Sequence, residues 1–331
     1  MGGKQSFPMV QIPKGRTFVV TGASRGIGYE TTKWIAMMGG TVVMACRSQD
    51  AAVQAMRRMN KEYKELKSRG ETPGLVDVEE LSLYFMPLDL SSLQSTKEFV
   101  HTYRESGRPL HVLVCNAGVV KAIPEKTDDG FESMLQVNYL SHFLLVGLLL
   151  PMMKNAAADD DIRVVMVSSD AHRMCKFDLE TIDYSGEPEK FGYFDYYGRS
   201  KLYQIMQAHC LRRRLRNTGI TVSAVHPGMV ETDIGREFLD NKMWQLFVSF
   251  NRLIGMLQCP YDGARTVIDL AVNPALQGAP AVYYKNCSPG GSSAAARNEV
   301  HQEALWTWTM ETLKDHFKED EVYCLEGADP V

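Results

Sequence analysis

Tyr197 and Lys201 stand four residues apart in the run Tyr197-Gly198-Arg199-Ser200-Lys201. On a helix that spacing puts both side chains on one face, one turn from each other. A free phenol titrates near ~10 and is a poor proton shuttle at neutral pH. An ammonium group held beside it favours the phenolate and is expected to bring the pKa down toward the working range. The same spacing also describes an ordinary surface pair. Its meaning depends on what the rest of the chain brings to it.

A second chemical signal lies near the start. Thr21-Gly22-Ala23-Ser24-Arg25-Gly26-Ile27-Gly28 follows a β-branched and aromatic run, 17–20, and precedes a helical pattern through Trp34, Ile35 and Met38 that Gly39-Gly40 stops. In the order strand, glycine turn, helix, the glycines let the backbone approach a pyrophosphate, and the helix N-terminus offers it unpaired N–H groups. Gly22, Ser24, Arg25, Gly26, Ile27 and Gly28 are the predicted contacts. A second strand, 41–45, runs into Cys46-Arg47-Ser48. Enzymes that prefer NAD place an acid there for the ribose hydroxyls, whereas an arginine accommodates a 2′-phosphate. Either Arg47 or Arg25 alone reads as a surface residue. Together they predict NADP(H), with NAD the less favoured cofactor.

Further strand ends carry similar residues. The third strand, 83–88, leads to Asp89-Leu90, a pair suited to contacting an adenine ring or to capping the helix after Ser91-Ser92. The fourth, 111–114, leads to Cys115-Asn116-Ala117-Gly118, small enough for close backbone approach to a ligand. A long apolar helix, 131–150, contains Asn138, either a satisfied core amide or part of a site. The fifth strand, 162–167, ends in Ser168-Ser169, and a long loop then leads to the Tyr197 helix. The sixth, 221–225, ends in His226-Pro227-Gly228, with Thr232 just beyond. Strand–helix units with ligand-type residues at the strand C-termini predict an α/β fold, a doubly wound, Rossmann-type and mostly parallel sheet with helices on both faces. One domain should span 17–314, with a last strand at 281–284 and a closing helix at 294–313.

The remainder is less regular. Residues 1–16 read as a polar leader and 315–331 as a mobile acidic tail. Met1-Gly2-Gly3-Lys4-Gln5-Ser6 fits the pattern for N-myristoylation of Gly2, which would give reversible membrane contact. The apolar segment 238–257, part of a substrate lid over about 231–257, suits a lid, a membrane-facing helix or a helix packed on its own core. The apolar stretch 139–153 reads as a buried helix. A net charge of −4 gives no electrostatic case for nucleic acid. Seven cysteines without a paired or metal-like spacing point to reduced thiols in a cytoplasmic setting, with membrane association through Gly2 or 238–257. No metal site is expected.

Taken in order, Thr21-Gly22-x3-Gly26-x-Gly28, Asn116-Ala117-Gly118, Asn138, Ser169, Tyr197-x3-Lys201 and Pro227-Gly228 resemble the short-chain dehydrogenase/reductase family. The stretches Asn138-Tyr139-Leu140-Ser141-His142-Phe143-Leu144-Leu145, Ala224-Val225-His226-Pro227-Gly228 and Ala296-Arg297-Asn298 are similar to its retinol dehydrogenase and WW-domain oxidoreductase branch. Cys115 departs from the asparagine usual there. The resemblance implies hydride transfer between NADP(H) and a lipophilic alcohol or carbonyl of the retinoid, steroid or lipid aldehyde class. It implies Tyr197 as proton donor or acceptor, Ser169 on the carbonyl oxygen, and Lys201 on the nicotinamide ribose. It gives Asn138 a relay water and Thr232 the carboxamide. His172 and His226 are read as structural. Homodimerisation is a further expectation. The competing reading is a cofactor-binding regulatory or scaffold protein with little turnover.

Overall fold

The computed structural model describes residues 9–71, 74–157, 161–184, 191–230 and 257–326. Its strands are short apolar runs with little alternation, as expected where both faces of a parallel sheet are covered. They are β1 (Thr17–Thr21), β2 (Thr41–Cys46), β3 (Leu83–Pro87), β4 (Val112–Cys115), β5 (Arg163–Val167), β6 (Thr221–His226), β7 (Tyr283–Lys285) and β8 (Ser288–Pro289). The sheet order is β3-β2-β1-β4-β5-β6-β7-β8, parallel throughout except for the antiparallel β7–β8 hairpin. The hairpin strand β8 was not expected from sequence. It follows from Asn286 and Cys287, both at positive φ, which turn the chain back in two residues.

Neighbouring strand residues feed opposite cores. Val19, Val43, Leu113 and Val164 belong to one cluster, and Phe18, Val20, Val42, Met44, Val112 and Val165 to the other. The second face is covered by α1 (Gly26–Met37), α2 (Gln49–Ser68) and α6 (Pro260–Val272). The first is covered by α3 (Leu93–Glu105), α4 (Ser133–Ala156) and α5 (Tyr193–Arg214), with α7 (Ala294–Arg297), α8 (Glu299–Leu313) and α9 (Glu319–Glu326) outside them. Helix α4 is long and apolar enough to cross a membrane by composition alone, but it is almost wholly buried here, as a core helix would be.

Several boundaries differ from the sequence expectation. The predicted closing helix is two helices, because Asn298 breaks the chain and caps the second, accepting from His301 N at 3.1 Å. Helix α4 starts only at Ser133, where the Glu132 carboxylate accepts from Met134 N and Leu135 N. It contains a π-helical turn over Gln136–Leu140. The leader is not wholly outside the fold, since Ile12 is buried and its N–H bonds Met38 O at 2.9 Å. Nor is the tail free from 315 onward. Helix α9 buries Cys324 and Leu325, and Glu321 pairs with Arg104 at 3.0 Å. The Gly2 pattern, the apolar segment 238–256 and Thr232 lie outside the described residues.

Candidate active site

The glycine loop sits at the C-terminal end of β1, beside the end of β4, where the strand order reverses. Open parallel sheets bind ligands at that place. Gly22 has φ +66°, and a β-carbon on Gly28 would lie 2.4 Å from Gly22 O and 2.5 Å from Asn116 Nδ2. Neither neighbour can retreat, so this close approach admits only glycine. A crevice of about 660 Å³ opens over the loop. Its walls include Ser24, Arg25, Gly26, Ile27, Gly28 and Arg47 on one side and Asp89, Leu90, Asn116, Ala117 and Gly118 on the other. These residues fit a dinucleotide: backbone N–H groups at a helix start for the phosphates and two arginines near the end of β2.

Asp89 does not cap α3. Ser92 does so, accepting from Ser95 N at 3.1 Å, while Asp89 Oδ1 accepts from Ser91 N at 2.9 Å. That leaves Asp89 on the crevice wall. Cys115, at the departure from the family pattern, is fully buried, and burial pushes its thiol up to about 12. It is an inert core residue.

Thr21 organises the floor of the crevice, and sequence reasoning gave it no such role. Its Oγ1 accepts from Asn116 N and Ala117 N, both at 2.9 Å, and lies 3.0 Å from Nε2 of His142. His142 is buried, and burial pushes its pKa down to about 4, so the ring is neutral. Its Nδ1 is 3.2 Å from Asn138 O, which can only accept. Nδ1 therefore carries the proton, Nε2 is the acceptor, and the Thr21 hydroxyl donates to it.

Asn138 belongs to the same assembly. Its Oδ1 accepts from Val119 N at 2.8 Å, and its Nδ2 donates to Val119 O at 3.0 Å and to Ser200 Oγ at 2.9 Å. It joins the turn after β4 to the Tyr197 helix. Gly118 is the contact point: a β-carbon there would be 3.3 Å from both Asn138 Oδ1 and Lys201 Nζ.

Ser169 follows β5, and two histidines hold the turn it begins, one on Ser169 itself and one on Asp170. His172 Nδ1 donates to Ser169 O at 2.7 Å, its Nε2 accepting from Ser293 N at 3.0 Å. His226 Nδ1 accepts from Asp170 N at 3.1 Å. Both rings are neutral through burial, His226 with its pKa pushed down to about 4. Asp170 is held far below the usual carboxylate range, against its own burial, by Lys285, His226, Arg173 and Tyr283. Gly198 brings the helix against this turn, since a β-carbon on it would lie 2.3 Å from Cys175 Sγ and 2.9 Å from Ala171 O. Tyr197 thereby comes close enough to Ser169 for the serine hydroxyl to favour its phenolate.

The electrostatics of the Tyr197–Lys201 pair differ from expectation. Burial raises the Tyr197 pKa, and the nearby Ser169 hydroxyl, not Lys201, is what opposes the rise. Lys201 Nζ is 5.7 Å from the ring centroid and donates instead to Val167 O and Gln204 Oε1, both at 3.0 Å. Lys201 is itself pushed down to about 7 by burial. Spacing put the two residues on one face but did not fix where the ammonium points.

Beyond the pair, Pro227-Gly228 ends β6 with Gly228 at φ +95° and Gln258 packed against it. Among the described residues no group of His, Cys, Asp or Glu is arranged to hold a metal ion.

Comparison with known proteins agrees with this geometry. The profile of the family described as short chain dehydrogenase matches residues 16–181. The chain is 34% identical over 311 residues to WW domain-containing oxidoreductase of Gallus gallus, covering 91% of this chain and 69% of that one. It is 33% identical over 296 residues to retinol dehydrogenase 14 of Homo sapiens, covering 88% and 84%. Among solved structures, an uncharacterized protein from Mycobacterium Paratuberculosis superposes with a TM-score of 0.68 at 26% identity, covering 94% and 98%.

Proposed function

Because the chain belongs to the short-chain dehydrogenase family, in its retinol dehydrogenase and WW-domain oxidoreductase branch, and is an NAD(P)-dependent oxidoreductase, we propose that it interconverts a lipophilic alcohol and its carbonyl with NADP(H). The observation that carries the reading is the approach of Tyr197 to the Ser169 hydroxyl, with buried Lys201 one turn away and packed against Gly118 of the crevice wall. A nicotinamide dinucleotide, when bound, supplies or accepts the hydride.

The chain's own residues do the rest. Ser169 donates to the carbonyl oxygen and holds it beside the phenol, and Tyr197 Oη delivers the proton to that oxygen in the reducing direction. Lys201, close to neutral pH in its titration, replenishes that proton. The remaining lone pair of Asn138 Oδ1 is the acceptor for a water that links Lys201 onward. Arg25 and Arg47 favour a 2′-phosphate, because no acid stands at the end of β2.

A lipophilic substrate is supported by the rim of the site. Met174, in the turn after Ser169, and Phe194, one turn before Tyr197 on α5, are exposed large apolar residues, and Cys175 Sγ, 3.7 Å from Phe194 O, joins the two segments. The name of the human relative, retinol dehydrogenase 14, points the same way. The test is NADPH oxidation across retinal, steroid ketones and aliphatic aldehydes. Turnover of a lipophilic carbonyl supports the reading. Tight NADPH binding with no turnover across the panel favours the regulatory or scaffold alternative.

A further inference from the structure

Lys201 is 3% exposed, and both acceptors of its ammonium are neutral. One is the main-chain oxygen of Val167 at the end of β5. The other is Oε1 of Gln204, one turn further along α5. Among the described residues, the titratable groups set about Lys201 are Tyr197 on its own helix and His142 on α4, whose ring is neutral. From β5 the facing group is the Val167 carbonyl, and from the turn after β4 it is Gly118. Neither carries charge.

From this geometry we infer that Gln204 is a positioning residue for the reaction: its carboxamide oxygen fixes where the Lys201 ammonium points and how firmly it keeps its proton. The inference rests on the hydride-transfer reading, which gives Lys201 its task.

The Gln204 side chain is 1% exposed, and its Nε2 has no hydrogen-bond partner among the described residues. A buried donor without a partner costs the fold free energy, and an apolar side chain of similar volume would fill the place without that cost. Only the oxygen end has work to do, and its partner is Lys201. The Val167 acceptor is main chain and the same for any side chain. Position 204 is therefore the adjustable ligand of the ammonium.

The chemistry follows from charge. An ammonium deprived of water and given only neutral acceptors loses its proton more easily than one in solvent. A carboxylate at 204 would hold the charged form, and a thioether would abandon it. Gln204, a neutral acceptor, lies between these two, against a burial that already pushes Lys201 down to about 7.

The test uses the full chain labelled with carbon-13 at lysine Cε, with Lys201→Met identifying the Lys201 resonance. Titration by NMR should show the Lys201 midpoint raised by about one pH unit or more in Gln204→Glu and lowered in Gln204→Met. The corresponding limb of the kcat profile should move in the same directions. Turnover with unmoved midpoints in both variants overturns the role of Gln204 and leaves the reaction standing. A wild type that turns over no carbonyl removes the reaction, and with it the role, even where the midpoints move.

Discussion

His142 Nε2 lies 3.0 Å from Thr21 Oγ1, and through that contact the helix that carries Asn138 is bonded to the strand that opens the glycine loop. The other ring nitrogen holds Asn138 O. One neutral histidine thus couples the dinucleotide floor to the catalytic side of the site. His142→Leu removes both bonds and leaves Thr21 its 3.4 Å contact with Val114 O. The variant should lose about 1–3 kcal/mol of stability in chemical denaturation. It should also lose acid sensitivity. The folded pKa of His142 is depressed to about 4, below its unfolded value near 6.5, so the unfolded chain binds more protons between those pH values. Its contribution is full above about pH 6.5 and is lost as pH falls toward about 4, at about 1.4 kcal/mol per pH unit. His209 and His226, depressed to about 4 as well, keep part of the slope in the variant. Equal pH slopes in wild type and variant would contradict this assignment.

What the sequence revealed and what it hid divide along the chain separation of the partners. The glycine loop and the Tyr197–Lys201 spacing are local patterns, legible because backbone geometry over a few residues dictates them. Thr21 and His142 are 121 positions apart, and nothing in an apolar helix containing one histidine says which hydroxyl it meets. Gln204 is local to Lys201, yet the spacing alone could not decide whether the ammonium turns toward it or toward Tyr197. Packing against β5 made that choice. The C-terminal segment misleads for a different reason. Its acidic composition reads as solvated, but its folded state is set by Gly147, where a β-carbon would lie 2.6 Å from Phe317 Cε1 and 2.8 Å from Leu325 Cδ1. The missing side chain on α4 is what lets α9 dock.

Gly28 offers a test of the crevice that leaves the catalytic residues untouched. A methyl group there meets Gly22 O and Asn116 Nδ2; Asn116 Nδ2 is held by Thr21 O at 2.8 Å, and the Gly22 N–H is held by Ala45 O at 2.9 Å. In Gly28→Ala the dinucleotide floor must deform while the sheet remains. NADPH affinity, read by titration calorimetry, should fall about tenfold or more, which is about 1.4 kcal/mol. Far-ultraviolet circular dichroism should be unchanged. Unaltered affinity would place the cofactor elsewhere.

Arg47 is exposed at the end of β2 and lines the same crevice wall as Ser24 and Arg25. If it accommodates a 2′-phosphate, Arg47→Asp replaces attraction by repulsion for NADPH and offers an acceptor to the ribose hydroxyls of NADH. The ratio of the two affinities should swing by about tenfold or more toward NADH. Equal weakening of both cofactors would remove Arg47 from the discriminating position and leave Arg25 to account for any preference.

Tyr197→Phe separates binding from chemistry. The substitution keeps the ring, so the helix packing through Gly198 against Cys175 and Ala171 is retained. It removes Oη and with it the interaction with the Ser169 hydroxyl. Lys201 keeps its bonds to Val167 O and Gln204 Oε1, which do not involve the phenol, so NADPH affinity should stay close to wild type. Turnover should fall by about 10²–10⁴-fold, the range a positioned general acid supplies. Single-turnover measurement with saturating NADPH distinguishes a lost proton donor from slowed product release. A phenylalanine variant with near-normal single-turnover rates would mean that the proton reaches the substrate oxygen from another group, and Ser169 would then be the first hydroxyl to substitute.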